Sequence, residues 1–400
     1  MARESIKMKI RSWAALWLGL PVVLTGCAGF WSLPASSTTT TPTTLSSGVF
    51  YVLDQTTKQI AAYAISSGAL ATVSGSPYTL AATPYSIAVA PGGGYLYVGT
   101  INGIYLYTIG SGGSLSLASN SPVSSDIAAA LQVSGSWLID AFITGSGNLQ
   151  LDAIPINSST GVYAGSGGTP PYQSFSIANA TVKQMVLSPD GDNLLVALGT
   201  GGTIIVPFAS GSSNPLGSSA STVSVLHSGG SAFSVAVDPT SRVFYIGETL
   251  ANSSSTSGGL RVFNYSSISS GSLTEASGSP IASGGLAPNA ILPIATGDYV
   301  YVANGTGNTS SGNVTWFPIT ASGSTYTIAS GSTIASGIDP VGLAEDSESN
   351  FVLAVSSGGS TSSGDPDLEA YTMSSGALTS ALTATTGTDP VGAVAIAALP

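Results

Sequence analysis

Tyr97-Val98-Gly99-Thr100, Tyr245-Ile246-Gly247-Glu248 and Tyr301-Val302-Ala303-Asn304 repeat one short pattern, and Tyr51-Val52-Leu53-Asp54 gives a fourth copy near the N-terminus. Each is a run of aromatic and β-branched residues that closes on small or polar ones, which is the composition of a short strand. A second fragment recurs behind the first as Gly68-Ala69-Leu70, Gly113-Ser114-Leu115, Gly271-Ser272-Leu273 and Gly376-Ala377-Leu378. The first three of these run on into Ser76-Pro77, Ser121-Pro122 and Ser279-Pro280. Self-similarity with a period of roughly fifty residues marks a propeller or a linear array, because one such unit cannot bury its own apolar face.

The repeats align on an apolar first strand that begins at Tyr85, Ile127, Lys183, Phe233, Asn289, Val341 and Val391, at intervals of 42 to 56 residues. Each interval has room for four short strands and their turns, which is one propeller blade. Pro91-Gly92-Gly93-Gly94, Pro189-Asp190-Gly191 and Pro239-Thr240-Ser241 fall where the first hairpin of a blade must turn. No stretch after residue 47 holds a helical period. The last segment, Pro390 to Ile396, is a first strand with no followers, whereas Gly48 to Val73 holds later strands with no first strand. Joined, they complete one blade and leave no open edge at the seam. The expectation is an all-β, seven-bladed β-propeller over residues 48–400, its ring closed by N- and C-terminal strands in one composite blade.

The first 27 residues predict an export signal. Arg3, Lys7, Lys9 and Arg11 precede the apolar run Trp13 to Leu24, which is too short for a membrane span and suits a signal core. It ends in Leu24-Thr25-Gly26-Cys27, which resembles a bacterial lipobox, with Cys27 the single cysteine and the expected site of lipidation. Residues 28–47, with the tract Ser36 to Thr44, predict a Ser/Thr-rich tether. The expected location is therefore the cell envelope, with the membrane contacted through a lipid anchor. Ala28 and Gly29, with no Asp after the cysteine, favour the outer membrane in a host that has two. The chain carries 19 acidic against 8 basic residues, and that balance argues against nucleic acid as a partner.

The Tyr-Val-x-Asn-like strands, the Ser188-Pro189-Asp190-Gly191 turn and the Gly-Ala/Ser-Leu to Ser-Pro blade ending resemble those of the lactonase-type propellers. These are the YVTN-repeat proteins that include 6-phosphogluconolactonase-like enzymes. The resemblance spans residues 48–400 and implies a ligand site at one mouth of the central channel. In the family's enzymes that mouth holds basic, histidine and acidic residues.

First strands line a propeller's channel, so the strand starts predict what rings the mouth. The candidate ligand-binding residues are Tyr85, Lys183, Gln184, Phe233 and Asn289. Only Lys183 among them is charged. Lactone hydrolysis requires activation of water and stabilisation of an oxyanion, and a sugar phosphate requires several cations. The residues thus favour a non-catalytic binding or scaffold module for an envelope glycan, peptide or protein. The alternative is a lactonase-family hydrolase with a reduced site. His227, the single histidine, reads as a loop residue with no acid near it in sequence. With one histidine and no free thiol, neither a metal nor a cofactor is expected. The acidic groups around Glu345, Asp365 and Asp190 read as solvated turns, with Glu345 out of place among apolar residues at aligned positions.

Overall fold

The computed structural model describes residues 48–400 except 67–68, 166–168, 254–255, 308–309, 323–324, 359–366, 384–389 and 391. The expected signal segment 1–27 with Cys27, the tether 28–47 and Val391 lie outside the described residues. What is described is an all-β propeller. Its innermost strands are Pro84–Val89, Ala130–Ser134, Gln184–Leu187, Ala232–Val237, Ala287–Pro293, the C-terminal half of Ser332–Glu345, and Ala393–Ala398. Each packs beside the next, and Ala393–Ala398 returns to Pro84–Val89, so the row closes on itself. From each inner strand the chain steps outward through antiparallel neighbours, as in Gln184–Leu187, Asn193–Ala197, Thr203–Pro207 and Ser221–Val223.

The first and last of the described strands meet in one sheet. Ala393–Ala398 pairs antiparallel with Val49–Asp54, matching Phe50 to Ala398 and Val52 to Ile396, and Gln59–Ser66 and Ala69–Thr72 follow outward. Five sheets are separate in this way. The repeats that begin at Asn289 and Val341 depart from expectation, because they share a single eight-stranded sheet. The 14-residue strand Ser332–Glu345 serves both: Ser332 to Ile338 pairs with Ser311–Ser322, and Ile338 to Glu345 pairs with Phe351–Gly358. The strand runs on where other repeats break into a loop, and within it Asp339 takes a φ of 54°.

The Tyr-Val pattern now has a physical cause. Val49–Asp54 and Val243–Glu248 are buried at every position. A strand packed on both faces loses the apolar–polar alternation of a half-exposed one. Its alternate residues enter two different cores. Val49, Tyr51 and Leu53 pack with Leu96, Val98 and Leu115 of the following sheet, while Phe50 and Val52 pack with Leu353, Val355 and Leu368 of the preceding strands.

In three of its four copies the repeated tyrosine also fastens sheet to sheet. The Tyr51 hydroxyl donates to the Gly113 carbonyl at 2.9 Å, Tyr97 to Gly161 at 2.7 Å and Tyr301 to Gly376 at 2.9 Å. All three rings are fully buried, and the acceptors lie in turns of the next repeat at positive φ. Burial pushes each phenol pKa up, so the hydroxyls stay protonated donors. The recurrent Ser-Pro serines act within the sheets: the Oγ atoms of Ser76, Ser121 and Ser279 accept the N–H groups of Ala62, Leu106 and Val262 at 2.8 to 2.9 Å. All three Ser-Pro bonds are cis.

The glycine of the pattern makes room for another fastening. Ser86 Oγ donates to the Ala128 carbonyl at 2.8 Å and Ser234 Oγ to the Pro288 carbonyl at 2.6 Å, each reaching the next inner segment. Gly99 and Gly247 sit directly opposite these serines. A Cβ on Gly99 would stand 2.4 Å from Ser86 Oγ and 2.6 Å from the Ala128 carbonyl, and one on Gly247 would stand 2.3 Å from Ser234 Oγ. Two substitutions test these fastenings. Tyr97→Phe leaves a buried carbonyl unpaired and is expected to cost about 1–2 kcal/mol. Gly99→Ala overfills the contact and is expected to cost about 1–3 kcal/mol. Urea unfolding of the two variants, read as midpoint shifts at constant slope, measures both.

Candidate functional site at the channel end

The inner strands enclose a cavity of about 230 Å³ at the channel. Tyr85, Lys183, Gln184 and Asn289 line it, together with Ser86, Gln132 and Val341. Four of the five candidates from the sequence therefore converge. The fifth, Phe233, is not a lining residue but a support: the Lys183 ammonium sits 4.8 Å from the centroid of its ring. Ile127 is displaced, because its inner strand begins only at Ala130 and leaves Ile127 exposed.

The lining amides have a structural role that sequence reasoning missed. Gln132 Nε2 donates to the Met185 carbonyl at 3.0 Å, and Asn289 Nδ2 donates to the Pro340 carbonyl at 2.9 Å. Gln184 Oε1 accepts the Val235 N–H at 3.1 Å. Each bond ties one inner strand to the next, as the Ser86 and Ser234 hydroxyls do elsewhere in the ring. Gln55 Nε2, reaching the Pro84 carbonyl at 2.9 Å, spans the seam beside the chain ends. Each amide spends one end on the ring, and among the described residues no hydrogen bond takes up Gln132 Oε1, Gln184 Nε2 or Asn289 Oδ1. The sequence carried a signal, a polar residue in each otherwise apolar inner strand, but its partner was a backbone atom that spacing does not reveal.

The charged residues are mostly committed elsewhere. Arg242 pairs with buried Asp238 at 2.7 Å and also donates to the Gly297 carbonyl. Burial works to raise the Asp238 carboxyl, but the bonds from Arg242 and Thr240 outweigh it and hold it below the usual carboxylate range. Arg261 is held between Glu248 and Glu275. Among the described residues Lys183 is in no salt bridge, and it is exposed, so it is the cation that the cavity presents.

Glu345 and His227 do not line this cavity. Glu345 Oε2 accepts the Ala295 N–H at 2.9 Å and so caps a turn of the neighbouring repeat, which accounts for a carboxylate at an otherwise apolar position. Burial raises its pKa. His227 lies half-buried in the loop after Ser221–Val223. Two of the acidic turn residues are caps as well. Asp190 Oδ1 accepts from Ser188, Tyr265 and the Asp192 N–H, and Asp346, only 2% exposed, accepts the backbone N–H groups of Asn350 and Phe351. Asp365 lies outside the described residues.

No protein-family model and no curated protein sequence matches the chain. Solved structures do resemble it. A Bacteroides uniformis protein provisionally described as a 6-phosphogluconolactonase aligns over 88% of this chain and 99% of its own, with 14% identity and a TM-score of 0.66. A Bacteroides fragilis protein with the same provisional description covers 89% and 98%, with 14% identity and a TM-score of 0.63. The periplasmic gluconolactonase PpgL of Pseudomonas aeruginosa covers 89% and 99%, with 16% identity and a TM-score of 0.65. At these identities the likeness is one of fold: the chain has the 6-phosphogluconolactonase-like β-propeller fold.

The two roles of the lining separate experimentally. Asn289→Ala and Gln184→Ala each leave a backbone group of the next strand unpaired and are expected to lower stability by about 1–2 kcal/mol. Lys183→Ala is expected to stay within about 0.5 kcal/mol of the parent, as exposed substitutions do. Thermal and urea unfolding of the three variants side by side checks the contrast.

Proposed function

We propose that this chain is a seven-bladed, lipid-anchored envelope propeller whose channel end binds a neutral, hydroxyl-rich ligand without turning it over. The count of seven takes the eight-stranded sheet as two blades fused through Ser332–Glu345. It is supported by the separate apolar cluster of Ile294, Tyr301, Val314, Val352 and Tyr371 that packs between its two halves. The observation that carries the binding reading is the lining of the cavity: one lysine, one tyrosine and the free ends of three amides, with no carboxylate or histidine among them. Such a set supplies hydrogen bonds of both senses, an aromatic face and a single cation, which suits a glycan's hydroxyls. It supplies neither a general base nor the cation cluster that a phosphorylated sugar requires.

The rival reading is a lactone hydrolase, favoured by the provisional descriptions and name of the structural neighbours. A glycan array and calorimetry with the full chain in detergent, beside a gluconolactone-hydrolysis assay, decide between them. Saturable glycan binding that weakens tenfold or more in Lys183→Ala, with no turnover above background, is expected. Lys183-dependent turnover of the lactone would overturn the binding reading. The envelope assignment has its own test. Cys27→Ser is expected to abolish incorporation of a labelled fatty acid and to release the chain from the membrane fraction.

A further inference from the structure

One cluster of ionisable groups lies away from the channel end. Asp140 and Asp152 stand directly opposite each other on the paired strands Trp137–Ile143 and Leu149–Pro155. Asp126 joins them from the segment that leads into the same sheet, a segment anchored to the preceding sheet where Ser124 pairs with Ile104. Carboxylate oxygens of the three lie within 4.8 Å of one another. Asp140 is fully buried, Asp152 is 6% exposed and Asp126 is half-buried.

Facing carboxylates in a strand pair repel, and inside a protein the repulsion is stronger than in water. Among the described residues no lysine or arginine pairs with any of the three. Asp152 accepts from Gln150 Nε2 at 2.8 Å, and Asp126 accepts from the Ser124 hydroxyl at 2.5 Å. Both oxygens of Asp140 lack a hydrogen-bond partner among the described residues. Burial, then the charges of Asp152 and Asp126, push the Asp140 carboxyl well above its usual range, and the nearby Asp152 backbone amide only partly opposes this. A fully buried carboxylate with two unpartnered oxygens, aimed at two more carboxylates, requires a positive charge between them or a proton of its own.

We infer that Asp126, Asp140 and Asp152 form a calcium site. The donors are all hard oxygens, the chemistry that Ca²⁺ prefers, and an ion about 2.3–2.6 Å from each oxygen spaces its ligands as far apart as roughly 4.6–5.2 Å. The site has an entrance: a second cavity of about 530 Å³ opens onto Asp126 and Asp152, bordered by Ser124, Gln150, Tyr163 and Tyr172. Water in that cavity can complete the six to eight ligands the ion takes. The ion would clamp two strands of one sheet to the segment arriving from the sheet before it.

The test uses the full chain in detergent, stripped with EGTA and titrated with calcium chloride alone. Calorimetry is expected to find one Ca²⁺ per chain in the parent. The melting temperature is expected to rise on the order of 5 °C once free Ca²⁺ exceeds the Kd a hundredfold. Asp140→Asn keeps the shape of the side chain, and it is expected to lose both the uptake and the melting shift. Asp126→Asn, at the cavity rim and away from the strand core, is expected to weaken binding at least tenfold, and it decides the matter if Asp140→Asn does not fold. Equal melting in EGTA and in millimolar Ca²⁺ with no uptake would overturn the inference and leave Asp140 protonated. Stoichiometric binding untouched by either variant would overturn it too, because the ion would then sit elsewhere.

Discussion

Pairing of Ala393–Ala398 with Val49–Asp54 turns a row of sheets into a ring, and the rest of the molecule depends on that closure. Each central strand is apolar on both faces, so an unclosed row would expose one such face at either end, together with a strand edge. Closure gives every sheet two neighbours. It allows a run such as Phe50 to Leu53 to be wholly buried while each residue contacts only one of two cores. Burial of aromatic and aliphatic side chains supplies the main driving force. Hydrogen bonds that cross between sheets fasten each to the next: tyrosine hydroxyls to turn carbonyls, and serine and amide side chains from one inner strand to the next.

The same inner belt shapes the cavity at the channel end. A polar residue on an inner strand faces two demands, to hold the neighbouring strand and to present a group to the channel. Amides meet both, because one end can bond the backbone while the other points free. The serines Ser86 and Ser234 give their hydroxyl protons to the neighbouring inner segment, and they need the opposing glycine to fit. The lining is consequently neutral almost throughout. Lys183, propped on Phe233, is a charged exception in a chain whose arginines after residue 47 are held in ion pairs. The fold thus resembles that of the gluconolactonase PpgL while the chemistry at the channel end follows from this chain's own choice of inner-strand residues.

Much of the architecture was legible in the residues. The period located Tyr85, Lys183, Phe233 and Asn289 on or beside inner strands, and the unmatched strands at the two termini foretold their pairing. Tyr85, Lys183 and Asn289 share one cavity because they start equivalent strands, and Gln184 joins them as the residue after Lys183. The repeats beginning at Asn289 and Val341 resisted this reading, because one extended strand serves both and a shared strand leaves no break in composition. Glu345 looked anomalous because its partner, the Ala295 amide, is 50 positions away.

The repeat, the strands, the turns and the scarcity of ionisable groups near the channel can all be read from the residues alone. Those properties are local, or periodic at the length of one blade, and side-chain chemistry is enough to read them. Which polar side chains fasten the ring emerges once the strands are set side by side. The tertiary arrangement alone set Asp126, Asp140 and Asp152 around one point. The reason is physical: a hydrogen bond or an electrostatic contact between repeats depends on how strands lie side by side, and strand pairing brings together residues whose spacing along the chain carries no trace of the meeting.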